Sequence, residues 1–466
     1  MYFKYIMTTR PNILIIGDIM LDIHRNVKVR NIANEAPIPV YQLLSEQNSL
    51  GGCGNVLKNI HALGCSSIHI FSAIGDDDQG REVQKLVNQL DITSHLKIIP
   101  SYKTITKERS FCENKLLFRC DHEVSKELLK DIDWISDITT LLNTCTIDSI
   151  ILSDYNKGVL TPSVCKSIIQ LACSRGIFTC VDPKVSLESY IGCTLIKPNF
   201  SEACSLLNVS KETSLLQLHK MLHDKIHCNY SVITLAEKGI SLYNGKELFH
   251  ELPPKKHNII DVTGAGDIIC SFMGYYLWKE IDIPTLLKKS CTIATRSVEY
   301  SGTYTIQKDD LYRFKLNDRR IITINELHLI RSLYKENRIV FTNGCFDIIH
   351  HGHIHIFDFC KQNGDILIVG LNSDTSIKRL KGESRPINTL ELRVKVLESI
   401  RSIDYVVVFE EDTPIELIKH LQPDVLVKGG DYQLESIIGR DLVKETLLCP
   451  IVPDISSTRI INKIKK

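Results

Sequence analysis

The sequence predicts two α/β domains in tandem, a larger one over residues 1–316 and a smaller one over residues 337–466. Three observations carry this. A chain of 466 residues holds more than one domain at roughly 100–200 residues each. Short runs rich in Ile and Val alternate with longer stretches of helical period from residue 12 to about 301, the pattern of a mainly parallel sheet covered by helices. The alternation stops across a polar stretch and starts again at Arg338.

The strands follow in order. Residues 12–17 form an apolar run closing on Gly17, and 68–73, 149–153, 177–182, 194–197 and 231–235 repeat the type. Such runs suit strands buried on both faces. Residues 307–338 are charge-rich and contain Asn317-Asp318-Arg319-Arg320, followed by an amphipathic helix around Leu327, Leu329, Ile330 and Leu333. Residues 317–336 therefore read as linker and connecting helix. The second series consists of 338–343, 366–371, 405–409 and 425–428. No internal repeat or low-complexity tract interrupts either series.

Composition narrows the function. Hydrophobic residues make up 43% and charged residues 24%, which excludes collagen-like and mostly disordered chains. Lys plus Arg is 56 against 55 Asp plus Glu, so no global field recruits nucleic acid or an anionic membrane. No stretch approaches the ~20 apolar residues of a membrane helix, and the N-terminus lacks a secretory pattern. A cytoplasmic protein handling small molecules is expected. The 16 cysteines include no C-x-x-C pair, so they read as reduced, structural thiols.

Two constellations carry chemistry. In Asp261-Val262-Thr263-Gly264-Ala265-Gly266-Asp267, a loop opens a helix-like run. Gly264 and Gly266 let the backbone approach a ligand, Ala265 lies between them, and the helix start offers unpaired N–H groups to phosphate. Asp267 is either the carboxylate that takes a hydroxyl proton or a helix cap. The string resembles the C-terminal signature of the ribokinase family of sugar kinases. Gly51, Gly52 and Asn55 resemble the family's G-G-x-x-N element, which holds sugar hydroxyls. Asp18 matches its early substrate carboxylate, and Asn199 and Glu202 match its P-N-x-x-E element, which organises Mg²⁺ and nucleotide phosphates. Each alone also reads as a turn or a cap. Lys107, Asp154, Lys157 and Lys184 are further sugar-site candidates, the lysines suggesting a sugar that is already phosphorylated. As lysines they equally suit a solvated surface.

In the second domain Thr342-Asn343-Gly344-Cys345-Phe346-Asp347 ends a strand, and His350-His351-Gly352-His353 opens a helix. Histidines three apart share a helix face near its positive end, where two donors can straddle a phosphate. His355 thickens the cluster and zinc is the competing reading, although no cysteine at metal spacing completes it. The string resembles the H-x-G-H signature of the cytidylyltransferase-like nucleotidyltransferases, with Rossmann-like architecture. Ser457 and Thr458 fall in that family's second signature and would hold the leaving phosphates, or simply cap a helix. Asn343, Gly344 and Phe346 belong to the nucleotide site by the same resemblance. Lys381 and Arg393 are the first choices for triphosphate contacts, against ordinary surface charge.

Apart from its first ten residues, the chain is similar to bacterial enzymes that join both activities in ADP-heptose synthesis, through Arg379 to Asn388 and Phe409 to Pro414. The resemblance implies phosphorylation of D-glycero-β-D-manno-heptose 7-phosphate at O1, then adenylyl transfer from ATP to heptose 1-phosphate, on the way to lipopolysaccharide inner core. ATP and Mg²⁺ are the implied cofactors, no protein metal site beyond Mg-ATP is expected, and a homodimer is the expected assembly. Another phosphorylated sugar, or one half retained only as a binding module, are the competing readings. Cys53-Gly54 and Cys345 depart from the family pattern beside the two sites.

Overall fold

The protein, seen in a computed structural model, is described for residues 10–113, 115–184, 186–254, 259–278, 282–300, 302–307, 310–311, 320–430, 432–451, 460 and 463. These residues divide into two compact units, Met1–Gln307 and Lys308–Lys466.

The first unit is built on a nine-stranded sheet. From one edge to the other its strands are Leu248–Glu251, Ile240–Tyr243, Tyr230–Thr234, Leu195–Ile196, Phe178–Asp182, Ser149–Ser153, Asn12–Gly17, Ser67–Gly75 and Thr93–Ile99. The first two run antiparallel to their neighbours and the rest are parallel. Ile13, Leu14, Ile15 and Ile16 are all fully buried, because helices cover both faces of a parallel sheet and leave no polar side. Each expected strand of this series is present within two residues of its expected ends.

A second, four-stranded sheet was not expected. Its order is Pro39–Gly52, Ile19–Ile32, Thr106–Cys112, Lys115–His122. The first long strand is buried mainly at its start, after it leaves the main sheet, and the second only at its end, before helix Cys53–Leu63; apart from Val27 the rest of both is mostly exposed. Residues such as Arg25-Asn26-Val27-Lys28 therefore contain no apolar run that would mark a strand. Register places Asp22 opposite Ser49 on one side and beside Lys107 on the other, with His24 beside Arg109.

The second unit carries a six-stranded, all-parallel sheet in the order Ile321–Ile322, Tyr405–Phe409, Ile366–Asn372, Ile339–Gly344, Val425–Gly429, Glu445–Cys449. From residue 320 on, the stretch read as linker and connecting helix packs here. Ile321–Ile322 is an edge strand, and helix Leu327–Leu333 buries Leu327, Ile330 and Leu333 against Phe341, Ile368 and Leu421. Parallel strands put the loops after residues 344, 372 and 429 at one end of the sheet, where ligands of open α/β sheets bind. All 16 cysteines are free thiols, and Cys180, Cys193 and Cys270 are fully buried as small apolar side chains. Among the described residues no helix is long and apolar enough to cross a membrane.

Candidate active sites

The helix expected after the glycine-rich loop runs Ala265–Tyr276. Its preceding residue, Gly264, has φ +82°, and a Cβ there would lie 2.5 Å from the Asn55 amide nitrogen. A glycine is therefore required both for the left-handed backbone and for the close approach. No side chain caps this helix; the Ala265 N–H donates to the Val262 carbonyl at 3.5 Å, which leaves the N–H groups of Gly266 and Asp267 for an anion. Asp267, in the first turn, is 5% exposed. Its two oxygens accept from Asn55 Nδ2 at 2.8 Å and from the Tyr155 hydroxyl at 2.6 Å, which decides against the capping role. Burial pushes its pKa up, and the bonds from Asn55 and Tyr155 and the charge of Lys197 pull it back. Lys197 Nζ forms a buried ion pair with Asp182 at 3.1 Å and would lie 3.4 Å from a Cβ on Gly266. A protonated lysine thus stands beside the loop.

Around this carboxylate the structure sorts the expected sugar contacts. Asn55 is completely buried and its amide oxygen has no partner. Gly51 faces Asp22, since a Cβ on it would lie 2.5 Å from Asp22 Oδ2. Gly52 has φ +58° where the strand turns into helix Cys53–Leu63. Lys107 Nζ lies 5.0 Å from the centre of the Tyr155 ring, and burial lowers its pKa against the pull of Asp22.

The other candidates are placed differently. Both oxygens of Asp18 accept backbone hydrogen bonds, from Tyr155 at 3.1 Å, Lys157 at 2.9 Å and Val159 at 3.1 Å. Burial raises its pKa to about 6. The carboxylate expected to hold sugar is spent on fastening the 154–159 loop. Asp154 is spent likewise, on the Tyr190 hydroxyl at 2.5 Å and the Asn156 N–H at 2.6 Å. Lys157 pairs with Glu123 at 2.6 Å, and Lys184 pairs with Glu202 at the start of helix Phe200–Leu207.

The residues missed are Asp22, Arg109 and Lys58. Asp22 and Arg109 are both buried and pair at 3.3 Å. Lys58 Nζ reaches Thr303 at 3.2 Å, and burial lowers its pKa to about 8 despite the attraction of Asp22 and Asp267. A period-two reading of residues 18–24 would have put Asp22 and His24 on one face.

Asn199 and Glu202 form a reciprocal capping box on helix Phe200–Leu207. Glu202 also reaches Lys184, and both Asn199 and Glu202 line an open pocket of about 490 Å³ with Lys184, Ser186 and Ser201. The cap reading is realised.

In the second unit, helix His351–Gln362 starts at His350. The His350 and His353 rings stack with centroids 3.9 Å apart. Burial lowers both pKa values, that of His353 to about 4 with help from His350 and Lys381. Both rings are therefore neutral near pH 7, and each can offer one N–H. Phe346, with φ +43°, packs edge-on against His353 at 5.2 Å. A Cβ on Gly344 would lie 3.2 Å from the Phe346 ring. Asn343 accepts from Lys428 Nζ at 2.5 Å through its side chain.

Arg393 is corrected. Its guanidinium donates to the carbonyls of Cys345 and Asn372 at 2.8 Å, of Asn388 at 3.1 Å, and to Asp374 at 2.6 Å. It is an internal clamp. Asp347 is a second brace, accepting from Arg385 and from the N–H groups of Ile387 and Asn388. Lys381 is exposed on the last turn of helix Asp374–Lys381, near enough to His353 to influence it. Ser457 and Thr458 lie outside the described residues. Among those described, no group of three or more His, Cys, Asp or Glu could hold a metal ion.

Residues 10–310 match the pfkB family of carbohydrate kinases, and residues 341–463 match the cytidylyltransferase-like family. The chain is 38% identical over 462 residues to the "Bifunctional protein HldE" of Campylobacter fetus, covering 97% of this chain and 99% of that protein. It is also 38% identical to the protein of the same name from Campylobacter jejuni, covering 99% of each. Among solved structures, an Arabidopsis thaliana ribokinase complexed with ribose and ATP aligns with TM-score 0.52 at 15% identity, covering 66% of this chain and 99% of that one. Phosphofructokinase-2 from Escherichia coli aligns with TM-score 0.54 at 16% identity, covering 67% and 100%.

Proposed function

From the premise that this chain belongs to the bifunctional HldE family, with a pfkB-type kinase unit followed by a cytidylyltransferase-like unit, we propose how two ATP-dependent steps are divided over its residues. The chain is a bifunctional kinase and adenylyltransferase. Its kinase moves the γ-phosphoryl group of ATP to O1 of D-glycero-β-D-manno-heptose 7-phosphate. After a separate phosphatase removes the 7-phosphate, its second unit joins AMP from ATP to heptose 1-phosphate, giving ADP-heptose and pyrophosphate.

Asp267 takes the proton of the attacking hydroxyl, a role that needs a carboxylate within reach and correctly turned. Asp22 and Asn55 hold sugar hydroxyls, while Lys107, Arg109 and Lys58 balance the charge of a phosphorylated sugar. The loop Gly264–Gly266 with the helix start receives phosphate oxygens, and Lys197 adds positive charge as they shift. Asn199 and Glu202 would supply oxygen donors of the kind that Mg²⁺ carried with the nucleotide prefers, where it would offset phosphate charge. In the second unit His350 and His353 donate to the α-phosphoryl oxygens, with Lys381 and Lys428 as cations and Ser457 and Thr458 for the pyrophosphate. Heptose 1-phosphate is already ionised, so that step needs no base. ATP as substrate places the work in the cytoplasm. A second copy covering exposed apolar residues of the four-stranded sheet, such as Ile32, Leu44 and Leu116, makes a homodimer.

The observation that carries the kinase assignment is the buried Asp267 carboxylate, oriented from both sides at the mouth of an uncapped helix. Heptose 7-phosphate, ATP and Mg²⁺ are incubated with the protein, with and without the 7-phosphatase, and products are followed by mass spectrometry. The expected result is bisphosphate alone, becoming ADP-heptose when phosphatase is added. Asp267→Asn is expected to lose the first step by about 10²–10⁴-fold and keep the second on supplied heptose 1-phosphate. Loss of both steps in a folded variant would sink the division of labour.

A further inference from the structure

Tyr155 stands where three parts of the kinase unit meet. Its hydroxyl donates to Asp267 Oδ1 at 2.6 Å, while Asn55 holds the other oxygen. Its own backbone N–H donates to the buried Asp18, the carboxylate that also fixes Lys157 and Val159. The ring therefore sits on an anchored segment. Against the ring lies the ammonium of Lys107, on strand Thr106–Cys112 of the four-stranded sheet, within the range of a cation–π contact. That strand pairs with Ile19–Ile32, so Lys107 and Asp22 are neighbours across it.

Resting on the reading of Asp267 as base, we propose that Tyr155 is the positioning residue of the kinase reaction, turning the Asp267 carboxylate toward its hydroxyl and linking it to the four-stranded sheet through Lys107. A carboxylate held at one oxygen alone can swing. Held at both, it keeps one lone pair of fixed direction for the incoming proton. The phenol also donates more strongly to the charged form than to the protonated one. When Asp267 accepts the sugar proton, the Tyr155 bond weakens, so the phenol sets how readily the carboxylate acts. Among the described residues the Tyr155 hydroxyl is the group that bonds to Oδ1, so removing it frees that oxygen while the Asn55 bond to Oδ2 and the charge of Lys197 remain.

The test uses the full-length enzyme and follows kcat and kcat/KM of the kinase against pH. In Tyr155→Phe the ring and its Lys107 contact remain and only the donor is lost. The acid limb is expected to move to higher pH by about one unit or more, since a hydrogen bond to a charged group is involved. The kcat at neutral pH falls, KM for the sugar phosphate changes little, and adenylyl transfer by the same preparation is unaltered. Fluorotyrosine placed at position 155, a more acidic phenol of nearly the same shape, is expected to move the limb the opposite way. An acid limb that stays in place in both variants would overturn the proposal, whatever the loss of kcat, because a merely structural residue gives that result. Asp267→Asn run in parallel separates the premise. If that variant keeps kinase turnover, the base assignment fails; if it is inactive while Tyr155→Phe has the wild-type profile, only the role of Tyr155 fails.

Discussion

Arg393→Met removes a guanidinium whose side chain is fully buried and whose donors reach three loops of the second unit. The magnitude follows from what is left behind. Asp374 is 38% exposed, so water screens it again and little is lost at that pair. The Asn372 carbonyl is buried, and those of Cys345 and Asn388 are partly so. A hydrogen bond from a charged donor contributes about 1.5–3 kcal/mol, and breaking a buried charged arrangement from one side costs about 3–5 kcal/mol. Met refills part of the volume, which keeps the estimate near the lower end.

At roughly 2–4 °C per kcal/mol for a unit of this size, heat inactivation of adenylyl transfer is expected about 10 °C lower. The assay heats full-length protein in steps, cools it and measures both activities, so the kinase serves as the internal control and its curve stays where it was. Below the inactivation temperature the ATP KM changes little, because the guanidinium touches carbonyls and Asp374. Arg393→Lys is expected to fall between, since a point charge on a flexible stem replaces a fork only in part. An unmoved heat curve together with an ATP KM raised tenfold or more would refute this reasoning and return Arg393 to the phosphates.

Two further outcomes can be measured on the first unit, which contains both tryptophans, Trp134 and Trp278, so that intrinsic fluorescence reports its unfolding. His219 is completely buried between Ser231 and Ser241, and burial lowers its pKa to about 3. The unfolded chain takes up a proton below about pH 6.5 that the folded unit refuses, so stability falls by up to about 1.4 kcal/mol per pH unit between pH 6 and 4. His219→Gln should flatten that part of a plot of urea midpoint against pH, and an unchanged slope would remove His219 from the account. Gly264→Ala puts a Cβ 2.5 Å from Asn55 at φ +82°. It is expected to cost about 1–2 kcal/mol in backbone strain and, by pushing Asn55 off Asp267, about 10²-fold in kinase turnover, with adenylyl transfer intact; a variant of normal kinase kcat would mean that the Asn55 contact does not orient the base.

The central strands of both main sheets were legible because burial on both faces leaves a run of apolar residues, as at Ile13 to Ile16 and Val406 to Val407, whereas Thr93–Ile99, Ile240–Tyr243 and Leu248–Glu251 at the ends of the first sheet and Ile321–Ile322 and Glu445–Cys449 at the edges of the second were not expected. The four-stranded sheet was not, because its long strands are exposed over most of their length and alternation alone is a weak mark there. Motif glycines were legible for a similar reason: at Gly264 and Gly51 the structure leaves no room for a Cβ, so residue type and position are tied by sterics. Charged residues are different. Asp18 and Asp22 lie four apart and are equally buried, yet one faces the N–H groups of a loop and the other faces Arg109 and the bare side of Gly51. Arg393 and Lys381 were both chosen for triphosphate contacts, yet one meets three carbonyls and the other remains exposed. What decides each case is which polar backbone groups the fold leaves unpaired within reach, because a buried N–H or carbonyl without a partner costs about 1–3 kcal/mol. In this chain the bracing need takes Asp18, Asp154, Asp347 and Arg393, while Asp22, paired with Arg109, and Lys58 lie near enough to Asp267 for their charges to interact with it.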